Sequence, residues 1–223
     1  MITLDTLRYH SLTIDTLSIP QGITTVIGPN GSGKTTLLRM CAGITIPASG
    51  KILIDGISPR ETDVGWVNEF PDKNILFSRA SDEIASVLRF RHTPCRDTDD
   101  AVQRVASSVG IGHLLSRQIR EISGGEKMLV SLAAALVHHP KVLVLDEYDS
   151  HLDAASSDHI EKVIQKSGTS YVLRCTQHME TAASSDYLIF LERGIVKFAG
   201  TPATVFSSLS GTPFYPLSWR CAV

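Results

Sequence analysis

Residues 23 to 36 read ITTVIGPNGSGKTT, and no other stretch constrains the fold so tightly. A β-branched run, ITTVIG, enters a glycine-rich turn and then TTLLRMCAG, whose apolar spacing predicts a helix that stops at Gly43. Further short runs of strand character follow at KILID (51 to 55), DVGWVN (63 to 68), KVLVLD (141 to 146), SYVLRCT (170 to 176) and DYLIFL (186 to 191). Continuous apolar runs of this kind suit strands buried on both faces of a parallel sheet. From about 79 to 139 the character changes. RASDEIASVLRF, DTDDAVQRVASSVG and GGEKMLVSLAAALVHH all carry helical periodicity, punctuated by Ser, Asp and Gly. The final residues, GTPFYPLSWRCAV, hold turn formers and predict no element.

The glycine turn also has a chemistry. Gly28-Pro29-Asn30-Gly31-Ser32-Gly33-Lys34-Thr35 satisfies G-x-x-x-x-G-K-[ST], the phosphate-binding loop, and it sits between a predicted strand and a predicted helix as that mechanism requires. The glycines let backbone N–H groups wrap a β-phosphate, Lys34 supplies a point charge to β and γ oxygens, and the Thr35 hydroxyl can ligate Mg²⁺. A second acidic element fits it. VLVLDEYDS ends a predicted buried strand with Asp146 and Glu147 side by side, and neighbours on a strand face opposite ways. Their roles should differ, with Asp146 orienting Mg²⁺ and Glu147 polarising an attacking water as general base.

Together these features predict an α/β fold. Its P-loop triphosphatase core has a parallel-rich sheet flanked by helices, with N-terminal antiparallel strands and an inserted α-helical subdomain. The expected layout is one domain over 1–223, with the core at 1–78 and 140–223 and the helical subdomain at 79–139. Basic and acidic residues nearly cancel, 21 against 23, so no polybasic face argues for nucleic acid. No window approaches the ~20 apolar residues of a membrane span, and the N-terminus has no leader pattern, so a cytoplasmic chain is expected. Cys41, Cys95, Cys175 and Cys221 are scattered without metal spacing, which predicts idle thiols, no disulfide and no zinc.

A third motif completes a set. ISGGEKM (122 to 128) is another glycine pair at a helix start, a second place with free N–H donors for an anion. GPNGSGKTT, ISGGE, VLVLDEYDSHLD and TQH, in this order over nearly the whole chain, resemble the ATP-binding-cassette ATPases. ISGGE resembles that family's LSGGQ signature. The resemblance implies an ATP-hydrolysing protein with ATP and Mg²⁺ as ligands. It places ATP on Asn30, Gly31, Ser32, Gly33, Lys34, Thr35 and Thr36. Ser123, Gly124, Gly125 and Glu126 would close over ATP held by a second subunit, identical or not, in a head-to-tail dimer. Ser150-His151-Leu152-Asp153 resembles the family's SALD loop, which puts Asp153 near the opposite phosphate loop. His178 fits the family's switch histidine, with Gln177 where a threonine is usual, and Tyr9 is the candidate to stack on adenine.

Two finer points follow from the same resemblance. Val67-Asn68-Glu69 stands where the family has a triplet such as VFQ, so Glu69 replaces the glutamine that meets Mg²⁺ and the attacking water. That makes Thr35, Asp146 and Glu69 the metal set, and Lys34, Glu69, Glu147 and His178 the catalytic set. EFPDKNILFSRASDEIASVL is similar to the energy-coupling-factor ATPases. Pro71-Asp72, Asp82-Glu83 and Ile84-Ala85 are in register, while Phe70, Lys73 and Asn74 depart. The implied function is to power a membrane importer of a vitamin or transition-metal ion from the cytoplasmic face, bound to a transmembrane component. The rivals are a soluble non-transport cassette protein and a nucleotide-gated clamp of low turnover. The Asp82-Glu83 pair either receives a basic helix of the membrane partner or serves its own helix start.

Overall fold

Alternation governs the start of the chain. In β1 (Ile2–Tyr9) and β2 (Leu12–Ile19), Ile2, Leu4, Leu7, Ile14, Leu17 and Ile19 are buried between exposed polar neighbours. The two pair antiparallel, with Ile2 opposite Ile19 and Tyr9 opposite Leu12. β3 (Gly22–Ile27) follows and leads into α1 (Lys34–Cys41), which buries Leu37, Leu38, Met40 and Cys41. That helix ends as the sequence predicts, with Gly43 left-handed at φ 72 and no room for a side chain against the backbone of Pro59 and Arg60. β4 (Ser49–Ile54) departs from the expectation of a parallel strand buried on both faces. It pairs antiparallel with β1, and it buries Ile52 and Ile54 but not Lys51 or Leu53 to the same degree.

The structure, a computed structural model, describes residues 1 to 220, so Cys221 lies outside the described residues. The chain divides into two units. The first comprises Met1–Asp63, Val144–Glu147 and the residues from Ser170 onward; the second comprises Val64–Leu143 and Tyr148–Thr169.

The second unit holds β5 (Val64–Val67) and three helices of the inserted region, α2 (Ala80–Phe90), α3 (Cys95–Val109) and α4 (Gly124–Leu136), which pack on one another. Ile84 and Leu88, Val102 and Val105, and Met128 and Leu132 are buried on them at the three- and four-residue spacing of amphipathic helices. Gly65 is obligatory in β5, because a Cβ there would meet the Ala135 carbonyl oxygen at 2.4 Å. β6 (Val142–Asp146) is buried at every residue and runs from the second unit into the first. After it, α5 (Ala154–Lys166) completes the second unit.

The first unit resumes with β7 (Tyr171–Cys175), α6 (Met179–Ala183), β8 (Tyr187–Glu192), β9 (Ile195–Gly200), α7 (Pro202–Ser208) and α8 (Leu217–Arg220). Its strands form a large mixed sheet in the order β4-β1-β2-β9-β8-β3-β7, followed by the end of β6. β3 is parallel to both β7 and β8, as the buried apolar runs predict. β9 was not legible as a strand, since its residues are mostly exposed and it is held by antiparallel pairing to β8. The tail, for which no element was expected, forms α8. Trp219 there packs edge-on against Phe206 and Tyr215, and Ser218 donates its N–H (3.0 Å) and hydroxyl (2.5 Å) to Glu180. No helix among the described residues is long and apolar enough to cross a membrane.

Candidate functional site

The site of the first unit lies where β3 gives way to α1. Gly28 has φ 146, and a Cβ on it would fall 1.9 Å from the Leu191 carbonyl oxygen, so only glycine lets the chain leave β3 here. Gly33, at φ 102, sits before α1 and gives that helix no side-chain cap. The first-turn N–H groups of α1 therefore lack the side-chain acceptor that ordinarily closes a helix start. Ser32 Oγ is buried and has no hydrogen-bond partner among the described residues. A buried hydroxyl left unpaired costs on the order of 1–3 kcal/mol, which a phosphate oxygen at this position would relieve. Beyond Gly31 the space for a Cβ is open. These features fit a triphosphate.

Charges converge on the same loop. Lys34 is buried on α1, and its ammonium donates to the carbonyls of Gly28 (3.1 Å) and Pro29 (3.3 Å), with Glu147 Oε1 at 3.7 Å. The Thr35 hydroxyl donates to Asp146 Oδ1 at 2.9 Å. A hydroxyl and a carboxylate in contact are the hard oxygen donors that Mg²⁺ takes, so these residues fit the cation. Asp146 accepts a second hydrogen bond, from Cys175 Sγ at 3.0 Å. Burial pushes the Cys175 thiol well above its ordinary value, and the Asp146 charge adds to the push, so the thiol stays protonated and remains a donor.

Asp146 and Glu147 do differ in environment. Strand β6 ends at Asp146, and Glu147 turns into the left-handed region at φ 48, a conformation costing about 1–2 kcal/mol for a residue with a Cβ. Its N–H donates to the Cys175 carbonyl at 3.2 Å, and its side chain accepts from Gln177 Nε2 at 3.1 Å. The carboxylate thus stands between Lys34 and Gln177. His178 is exposed at the start of α6, its N–H donating to Thr176 Oγ1 at 2.9 Å. Tyr9, at the end of β1, meets His10 edge-on with ring centroids 4.5 Å apart.

The other candidates belong to the second unit. Ser123 caps α4, its hydroxyl accepting from the Glu126 N–H at 3.3 Å while Glu126 accepts from the Ser123 N–H at 2.7 Å. These hydrogen bonds hold the Glu126 carboxyl below its usual range, with His113 and Arg117 adding a little. The S-x-x-E spacing of a capping box was present in the sequence and gives the fixed start of the Gly124-Gly125 helix. A Cβ on Gly125 would meet Ser156 Oγ at 3.1 Å. Asp153 caps α5 by accepting from the Ser156 N–H at 2.8 Å, which lowers its pKa. Lys127 of α4 pairs with Asp72 at 2.8 Å, and His151 Nε2 lies 3.3 Å from Glu69 Oε1.

Of the two readings of Asp82-Glu83, the structure favours the local one for Glu83. It is buried and accepts the N–H groups of Leu76 and Phe77, both at 2.9 Å, while Asp82 pairs with Arg89 on the same helix. Sequence reasoning missed the contacts of Cys175, Gln177 and His151. Each lies next to a motif residue, but nothing in a single chain's spacing says what it touches.

Comparison with known proteins identifies the family. A family model described as ABC transporter matches residues 12–150. The energy-coupling factor transporter ATP-binding protein EcfA1 of Halalkalibacterium halodurans is 32% identical over 192 residues, 81% of this chain and 69% of that protein. The sn-glycerol-3-phosphate import ATP-binding protein UgpC of Psychromonas ingrahamii is 33% identical over 206 residues, 86% of this chain but 54% of that protein. The solved structure of cbiO1 from Clostridium perfringens, part of the ABC transporter complex cbiONQ, superposes with a TM-score of 0.84 at 27% identity, covering 92% of this chain and 90% of that one. Its phosphate loop, paired acids and capped glycine motif stand on the fold these relatives share, and the chain belongs to the ABC transporter family as one of its ATPases.

Proposed function

We propose that this ATPase powers a membrane importer of the energy-coupling-factor type, for a vitamin or a transition-metal ion. It would act from the cytoplasmic face as one half of a dimer that sandwiches two ATP molecules. The observation that carries the catalytic part is Glu147, a carboxylate held between Lys34 and Gln177 beside the Thr35–Asp146 pair. The importer part draws support from the likeness to EcfA1 and to cbiO1, and from the in-register Pro71-Asp72 and Ile84-Ala85.

In this reading the loop from Asn30 to Thr36 takes the phosphates, Ser32 gains its missing partner, and Lys34 exchanges carbonyls and Glu147 for β and γ oxygens. Thr35 and Asp146 would hold Mg²⁺, with Glu69 added on the resemblance alone, and the cation would offset the charge building on the phosphates. Glu147, released from Lys34, accepts the proton of the attacking water, and His178 contacts the γ-phosphate. Tyr9 stacks on adenine. From the second subunit, the capped start of α4 at Ser123, Gly124, Gly125 and Glu126 closes over the γ-phosphate, with Asp153 alongside. ATP closes the dimer because only the closed form offers both halves of the site, and loss of the γ-phosphate reopens it. The motion drives a transmembrane partner.

Two measurements test this. Purification from native membranes should bring a membrane protein with the chain, and phosphate release with MgATP should run through many turnovers. A chain that purifies alone from membranes is no importer subunit, and one that stops after a single phosphate per site is a clamp.

A further inference from the structure

Four of the positions at which this chain leaves its family's pattern lie together. Glu69 replaces the usual glutamine, His151 replaces the alanine of SALD, and Phe70 and Lys73 are departures within the EFPDK run. In the second unit all four meet. His151 Nε2 is 3.3 Å from Glu69 Oε1. The His151 and Phe70 rings lie 5.0 Å apart, tilted by 33°. Lys73 Nζ sits 4.3 Å from the centre of the Phe70 ring. The result is a relay of ammonium, aromatic ring, imidazole and carboxylate, with each group placed where its neighbour is attractive.

Substituting a carboxylate for an amide removes two N–H donors and adds a negative charge. Beside a triphosphate that charge is repulsive. An imidazole in contact supplies an N–H donor and draws the carboxylate to one orientation. The glutamine-to-glutamate and alanine-to-histidine changes are therefore complementary, and Phe70 supports the ring from one side.

We propose that His151 is a positioning residue for Glu69, and that the Glu69–His151 pair does in this chain what a glutamine does alone in its relatives. This rests on the reading above, in which Glu69 faces the nucleotide. It predicts coupling between the loops that carry Glu69 and His151.

The test is a cycle of four proteins: wild type, Glu69→Gln, His151→Ala and the double variant, which installs the usual family pair. Two quantities are read, equilibrium binding of a fluorescent non-hydrolysable ATP analogue in Mg²⁺, and kcat against KM for ATP. His151→Ala alone should weaken analogue binding by about two- to fivefold, the range of a partly exposed polar pair. The double variant should recover to wild-type binding, and His151→Asn, which keeps a donor, should fall between. The recovery is the discriminating signal, because damage to folding would accumulate in the double variant. Independent effects, multiplying in the double, overturn the pairing while leaving the ATPase reading intact. A wild type that binds no analogue overturns the ATPase reading, and the pairing with it.

Discussion

In the proposed mechanism the contact between Lys34 and Glu147 competes with ATP for the lysine, and Glu147→Gln should expose that competition. The charges are 3.7 Å apart, with side chains 4% and 18% exposed. At an effective dielectric near 20 such a pair attracts by about 4 kcal/mol, although desolvation cancels much of that. ATP must take Lys34 away from Glu147. If only about 1 kcal/mol of the attraction survives, removing the charge strengthens ATP binding about fivefold. The glutamine keeps the shape and can still accept from Gln177 Nε2, so the loop should hold its conformation. It cannot take a proton from water, and loss of a general base lowers kcat by about 10²–10⁴-fold. Binding is best measured by equilibrium dialysis of ATP in EDTA, where neither protein turns over and no cation masks Lys34. The difference should shrink as salt rises. Turnover that collapses while EDTA binding stays at or below the wild-type level would refute the competition, and unaltered turnover would remove Glu147 from the chemistry.

Four other outcomes follow from other contacts and from burial. Cys175→Ala removes a donor from the buried Asp146 carboxylate and should destabilise the protein by about 1–2 kcal/mol in urea unfolding, with Cys175→Ser recovering part of it. Ser123→Ala opens the capping box and should cost about 1 kcal/mol, read by the same method, while Ser123→Thr should be mild. Burial pushes the Cys41 thiol up to about 12 from an ordinary 9.0. Between those values the folded state binds more protons than the unfolded one, so stability is complete below about 9 and falls as pH rises towards 12. Thiol labelling mapped by mass spectrometry should find exposed Cys95 reacting quickly at pH 8, with Cys41 and Cys175 protected until denaturant is added.

Sequence reasoning reached the fold where side-chain burial follows a simple period. Strands β3, β6, β7 and β8 are mostly apolar and buried along nearly their whole length, and the helices of the second unit carry their spacing openly. It failed where pairing rather than burial makes the element. β9 is largely exposed and owes its conformation to β8, and β4 owes its direction to β1. The phosphate loop was legible because its glycines are dictated by local geometry, as the impossible Cβ of Gly28 demonstrates. Glu147 illustrates the limit. Its distinction from Asp146 could be argued from strand alternation, but the actual cause is a left-handed residue that ends the strand.

The candidate site residues of the first unit have partners, and the partners share a property. Lys34 rests on two carbonyls and Glu147, and Asp146 on Thr35 and Cys175. Each satisfies a charge with a group close enough to hold it, so the site does not carry bare charges. Several of these partners are themselves candidate ligand contacts. Lys34, Thr35 and Glu147 can therefore change roles together when phosphate arrives, with little net loss of hydrogen bonds. Ser32 is the exception, buried and unpartnered among the described residues. A ligand that only exchanged one set of contacts for another would gain little from the loop, whereas one that also satisfies Ser32 gains a hydrogen bond that the described residues do not supply. That asymmetry gives the loop a preference for an anion with several acceptor oxygens over a single carboxylate, which is what a triphosphate provides.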